Sequence, residues 1–272
     1  VVFAPYFPEY FPYIDNHGGI AKVIQTDELF QPDLNELLEA LTPKTRAVLI
    51  NSPNNPTGVL YSEEMLNFLG ELLHEAEERF GGSIFLISDE PYAKLIYDER
   101  SYPFVYKHHK SAIAVTSFSK DLSLAGERIG YIAVNPECEE KSELIDAFIY
   151  CTRVLGFVNA PALMQRAIEN VLDTTIDLEG YKQKRDYLCR YLTQMGYSLV
   201  KPQGAFYAFP RCPVSDDISF ITELLEERVL VAPGTGFGRP GHFRISYSVS
   251  DNVLAGAMEG FSRVARKHGL PG

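Results

Sequence analysis

A layered α/β architecture followed by a smaller α+β unit is what this sequence predicts, on three grounds. Short apolar runs alternate with amphipathic stretches through the first part of the chain, the pattern of a mostly parallel sheet with helices on both faces. From about residue 185 that alternation stops, and helices mix with short strands. Polar clusters lie just beyond three successive apolar runs, where open α/β sheets bind their ligands.

In chain order, Val1–Ala4 opens like the middle of a core strand, with no initiator Met, so a preceding segment is expected. Lys22–Gln25 reads as a strand. Pro32–Leu41 sets Leu34, Leu37, Leu38 and Leu41 at helical spacing, with Pro32 suited to a first turn. Arg46–Asn51 is a strand. Ser62–Phe80 is a long helix, with Ser62 as N-cap and Glu63 and Glu64 in its electropositive first turn. Ile84–Ser88, Ala112–Ser117 and Ile129–Val134 follow as strands. Ala160–Leu172 and Leu178–Met195 read as helices. Ser198–Lys201, Phe206–Phe209, Val229–Ala232 and Phe243–Tyr247 read as short strands around a helix at Ile218–Glu227. Asp251–Lys267 closes the chain as a helix.

Composition narrows the function. With 272 residues, 46% of them apolar and 22% charged, the chain can build a real core without disulfide staples. Cys138, Cys151, Cys189 and Cys212 have no metal-ligand spacing and read as reduced thiols of a cytoplasmic protein, and no metal is expected. A net charge of −11 argues against nucleic acid as a partner. No apolar run approaches a membrane span.

The chemistry concentrates around Lys120. The strand run Ala112–Val115 ends in Ser117 and Ser119, then Lys120, with Arg128 a short loop later. That arrangement suits a lysine that forms an imine beside a basic, hydroxyl-lined phosphate pocket. Asn54-Asn55-Pro56-Thr57-Gly58 follows the strand Arg46–Asn51, and Asp89 closes the strand Ile84–Ser88 with Tyr92 after it. Each alone has an ordinary explanation. Asn-Pro and Thr-Gly are turn pairs, an Asp at a strand end caps helices, and a lone loop lysine is a solvated surface group. Three successive strand ends carrying polar groups form a better signal than any one of them.

These motifs, together with Phe243-Arg244-Ile245-Ser246, resemble in order and interval those of the class I/II aminotransferases, aspartate aminotransferase-like enzymes dependent on pyridoxal 5′-phosphate. Ser117–Gly130 is similar to that family's lysine attachment signature. The resemblance implies the three-layer, mostly parallel large domain of fold type I pyridoxal-phosphate-dependent transferases, with a smaller C-terminal α+β domain. Residues 1–184 would form the cofactor-binding large domain, N-terminally incomplete, and residues 185–272 the small domain.

The resemblance also implies roles. Lys120 would form the Schiff base with the cofactor and, once freed as a neutral amine, carry a proton between substrate Cα and cofactor C4′. Asp89 would pair with the pyridine nitrogen. Asn55 and Tyr92 would hydrogen-bond the ring oxygen. Ser117, Ser119 and Arg128 would hold the phosphate, where a planar guanidinium meets two oxygens at once. Arg244 would clamp the substrate α-carboxylate, Phe206 would wall the substrate site, and Phe7 in Pro5-Tyr6-Phe7-Pro8 would lie over the cofactor ring. Core packing explains Phe206 and the aromatics near Phe7 equally well. Arg153 is a candidate second carboxylate reader or an ordinary surface arginine.

The implied activity is a transaminase that moves an amino group from an L-amino acid to a 2-oxo acid, as a homodimer. A C–S β-lyase, a decarboxylase, an aminocyclopropane carboxylate synthase-like enzyme or a non-catalytic truncated paralogue would carry the same residues. The family's chains are longer at the N-terminus, where a glycine-containing loop feeds the phosphate. The chain as written is therefore expected to bind cofactor weakly or not at all and, with sheet edges and an apolar face exposed, to be poorly soluble as a monomer.

Overall fold

The structure is a computed structural model and describes residues 1–272. Its elements, in order, are β1 (Val2–Ala4), α1 (Tyr10–Asp15), β2 (Val23–Gln25), α2 (Leu34–Ala40), β3 (Ala47–Asn51), α3 (Glu63–Phe80), β4 (Phe85–Asp89), β5 (Ala112–Ser117), α4 (Phe118–Asp121) and β6 (Gly130–Val134). There follow α5 (Lys141–Val154), α6 (Ala162–Ile168), α7 (Leu178–Gln194), β7 (Tyr207–Ala208), α8 (Asp217–Glu226), β8 (Ala232–Pro233), β9 (Phe243–Ser246) and α9 (Asp251–Lys267).

Six strands form one sheet in the order β2-β1-β3-β4-β5-β6. All neighbours are parallel except β6, which runs antiparallel to β5. The register levels the strand ends: Asn51 lies opposite Asp89, and Asp89 opposite Val115. Parallel strands all point their carboxyl ends to one side, so polar groups from separate segments meet there.

Helix α3 holds the sheet from one side. Ser62 accepts a hydrogen bond from the Met65 N–H, as an N-cap should, and Gly81 ends the helix in the left-handed conformation. Its stripe of Met65, Leu66, Leu69, Leu73 and Ala76 packs in one cluster with Val48 and Ile50 of β3 and Leu86 of β4. Each such leucine removed from water contributes roughly 1.5–3 kcal/mol.

The C-terminal part builds a second cluster from α7, α8, α9 and the antiparallel sheet β7-β9-β8. Tyr92 and Leu95, just past the end of β4, belong to this cluster, so the two halves meet beside the strand ends. The expected division at 184/185 falls inside α7, which runs unbroken through it. Arg185 is fully buried there, paired with Asp98 at 2.7 Å and donating to the Pro202 carbonyl at 3.0 Å. Leu178 and Tyr181, which precede that division, already pack on the second cluster.

Other expectations need correction. Asp33, not Pro32, starts α2: its carboxylate accepts from the Asn35 and Glu36 N–H groups, and Pro32 stands outside the helix. The helix expected at Ala160–Leu172 is only Ala162–Ile168, because Pro161 precedes it and no side chain caps it. Ser198–Lys201 pairs with no strand, and the strand expected at Val229–Ala232 shifts to Ala232–Pro233. Helix α5 had no sequence expectation. None of its residues is buried, so no tertiary stripe marks its pattern.

Candidate active site at the strand ends

Asn51 organises the site. Its side-chain oxygen accepts the Asn55 N–H at 2.7 Å, and its amide donates to the Asp89 carbonyl at 2.9 Å. One side chain thereby ties the ends of β3 and β4 together. The turn that follows is genuine: Asn54 accepts from the Thr57 N–H at 3.1 Å and from its hydroxyl at 2.9 Å. Gly58 is left-handed, with Pro202 and the Tyr207 carbonyl too close for any Cβ. The Asn54 oxygen and Thr57 are spent on the turn, the Asn54 amide donates to the Pro5 carbonyl at 3.3 Å, and the Asn55 side chain turns toward the C-terminal part. Its side-chain oxygen accepts from Arg244 at 3.0 Å, across 189 positions of sequence.

Arg244 lies on β9 between the buried Phe243 and Ile245, as a strand residue facing a site should. Its guanidinium sits 4.8 Å from the ring centres of both Tyr207 and Phe237, and its buried Nε has no partner in the chain. Aromatic walls and Asn55 hold the fork, and its unpaired donor is available to an anion.

Asp89 ends β4 with one partner, the Tyr10 hydroxyl, which donates to Oδ2 at 2.6 Å. Burial pushes this carboxyl up to about 6, and the Tyr10 hydrogen bond opposes the rise. An acid in this position fits a ligand that brings its own N–H cation, such as a pyridinium.

Tyr92 is buried, its hydroxyl 3.3 Å from that of Tyr207 and its ring 5.5 Å from Phe206. Burial first, then the Tyr207 neighbour, raises its phenol, so it remains a neutral donor. Lys120 lies in the short helix α4, half-buried, with Nζ 5.8 Å from the Phe206 ring centre. Ser117 occupies the position before α4 without using its hydroxyl as a cap. Ser119 is half-buried beside it. Arg128 is exposed in a left-handed conformation and donates once, to the Ala125 carbonyl at 2.9 Å. Phe7 packs edge-on to Tyr10 at 5.6 Å.

A continuous set of contacts therefore runs from Lys120 through Phe206, Tyr92, Tyr207, Arg244 and Asn55 to Asn51, Asp89, Tyr10 and Phe7. Ser117 ends β5, Ser119 shares α4 with Lys120, Arg128 follows a short turn later, and Arg153 is exposed in α5, outside these contacts. Sequence reasoning assigns no role to Asn51 or Tyr10. Asn51 read as a strand residue and Tyr10 as one of several crowded aromatics. Tyr10 follows Phe7 by one helical turn, the only sequence signal that pairs them.

The cofactor implied by the resemblance fits these residues on two counts: a half-buried acid without a cation, and a half-buried guanidinium whose buried Nε has no partner. Comparison with known proteins points the same way. The family described as aminotransferase class I and II matches residues 1–261. The aspartate aminotransferase of Thermotoga maritima is 34% identical over 264 residues, covering 95% of this chain and 67% of that protein. The aspartate/prephenate aminotransferase of Thermus thermophilus is 32% identical over 276 aligned residues, covering 97% of this chain and 68% of that protein. Among solved structures, an amino transferase of Eubacterium rectale superposes with a TM-score of 0.94 at 41% identity, over 98% of this chain and 68% of that one.

Proposed function

The chain belongs to the class I and II aminotransferases, and from that premise we propose that it moves an amino group from an L-amino acid to a 2-oxo acid, with Lys120 as the residue that bonds the cofactor. The family is pyridoxal-phosphate-dependent and of fold type I. The single observation that carries the residue assignment is the Arg244–Asn55 hydrogen bond, which sets a carboxylate-binding fork over the strand ends that hold Asp89 and lead to Lys120.

Bound pyridoxal phosphate supplies an aldehyde for the amino group and a ring that draws electrons from the substrate Cα. In this reading the chain does the rest. Arg244 grips the α-carboxylate and orients the Cα–H toward Lys120. Lys120 would hold the cofactor and, as a free amine, would take and return the proton of the substrate Cα. Asp89 accepts the ring N–H and keeps that proton in place. Asn55 and Tyr92 donate to the ring oxygen. Ser117, Ser119 and Arg128 anchor the phosphate, Phe7 covers the ring, and Phe206 shields the lysine from water.

The names of the relatives make aspartate the first donor to test. We further propose a homodimer in the cytoplasm, supported by family membership and by four cysteines that are all free. Borohydride reduction in the presence of pyridoxal phosphate, followed by peptide mass spectrometry, tests the core of the reading. The expected result is one adduct, on Lys120, absent from Lys120→Ala, with a 2-oxo acid rather than ammonia and pyruvate formed in turnover. An adduct elsewhere, or turnover retained by Lys120→Ala, would refute it.

A further inference from the structure

A cavity of about 830 Å³ lies behind the strand ends, between β5 and β6 on one side and α6 on the other. Thr116 lines it and Ser117 does not, so it opens on the face of β5 opposite the one that carries Ser117. Glu90 and Asp121 line it too, while Asp89 and Lys120, one position earlier in each case, do not. Its size and largely apolar wall are those of a small-molecule site. Much of that wall is aromatic, from Tyr102, Phe104, Tyr106, Phe118 and Tyr131. Phe104 and Tyr106 stack at 5.8 Å.

The charged groups are one-sided. Glu90 is 5% exposed, and its Oε1 has no hydrogen-bond partner. Its main chain is fixed: the N–H donates to the Val115 carbonyl at 2.7 Å, and the carbonyl accepts from the Thr116 hydroxyl at 3.0 Å. Asp121 is 7% exposed, with Oδ1 equally unpartnered. Lys94 is the one basic residue on the wall, and Glu169 adds a third acid. Lys94 lies 3.6 Å from Asp121 Oδ2 and donates to the Leu172 carbonyl. Burial raises the carboxyls of both Glu90 and Asp121, and Lys94 opposes the rise only at Asp121. Water alone would hydrate these oxygens but leave the aromatic wall wet. A ligand with a positive head and an apolar body satisfies both. A planar guanidinium or amidinium suits the cavity better than a compact ammonium. Its fork meets both oxygens of a carboxylate, and its faces lie against aromatic rings. The net charge of −11 draws cations toward the molecule.

We propose that this cavity binds a guanidinium- or amidinium-type cation carried on an apolar body, with Glu90 as its main acceptor, Asp121 as the second, and the aromatic wall around the body. The site is separate from the one at Lys120 and does not rest on the functional reading above.

Calorimetric titration of the chain with benzamidine, with and without pyridoxal phosphate, tests it. Benzamidine is expected to bind equally in both conditions. Its neutral analogue benzamide should bind at least about tenfold more weakly. Glu90→Gln should weaken benzamidine by at least about tenfold and leave benzamide unchanged. Tyr131→Ala, which removes an exposed aromatic ring from the wall, should weaken it about threefold. The comparison of benzamidine with benzamide on the parent chain decides the matter even if Glu90→Gln folds poorly. Equal affinity for the two compounds, an unmoved affinity in Glu90→Gln, or loss of binding when pyridoxal phosphate is added would overturn the proposal. Nα-acetylargininamide separates the two sources of the group. Tighter binding than benzamidine marks an arginine side chain of a polypeptide as the occupant, and weaker binding marks a free small molecule.

Discussion

An acid held deep in a fold without a cation weakens that fold, and Asp89 is such an acid. Its carboxyl keeps its proton to about 6 in the folded chain, against 3.8 for the free group. Between those values the unfolded chain has released the proton and the folded one has not, so stability falls as pH rises through this window and then levels off. Asp89→Asn should remove that slope. Chemical denaturation above pH 6 should find the variant more stable, by up to about 3 kcal/mol for a shift from 3.8 to about 6, while transamination is lost. Arg244 carries the complementary prediction. Lysine there cannot reproduce the fork that meets Asn55 and a carboxylate together, so Arg244→Lys should lower kcat/KM by roughly 100-fold. Steady-state kinetics with both amino acid and 2-oxo acid would check it.

At the scale of elements, α3 separates local from tertiary causes. Its start was legible because Ser62 precedes an apolar stripe at helical spacing, and the cap forms as expected. Ser62→Ala should cost about 1 kcal/mol, visible as a lowered Tm. Gly70 makes the opposite point. Helix propensity favours alanine there by about 1 kcal/mol. The His108 carbonyl, however, passes where a Cβ would stand, so Gly70→Ala should lower Tm rather than raise it. The direction of β6 was equally invisible, since an apolar run looks the same read either way. Helix α5 escaped notice because its apolar residues do not line one buried face.

For the whole molecule, two clusters share a boundary beside the strand ends, and Arg185 locks the second against the first by reaching Asp98 and the Pro202 carbonyl under Tyr97. Arg185→Ala should destabilise by about 2 kcal/mol or more in a urea titration, because buried packing and a carbonyl acceptor lose their partner together. The surface around α5 and α6 is the other large-scale feature. Ile149, Tyr150 and Val154 are exposed, as are Phe157 at 75% and Leu163 at 79%. These five large exposed apolar side chains within residues 149–163 are more than the single scattered ones a surface ordinarily shows. The chain should bind the dye ANS in its folded state, and Ile149→Lys with Val154→Lys should reduce that signal.

The sequence by itself determined the layered α/β class, most of the sheet strands, the long helices α3, α7 and α9, and the motifs around Lys120, Asp89, Asn55 and Arg244. Those follow from periodicity, capping residues and short-range motifs, which act between near neighbours. Only the tertiary structure decided that Asn51 joins two strand ends, that Tyr10 donates to the Asp89 carboxylate, and that Tyr207 lies under Arg244. The direction of β6 was settled there too. The physical reason is the same in each case. These contacts join residues far apart in sequence, and a side chain's partner across a fold depends on register and packing that no local pattern encodes.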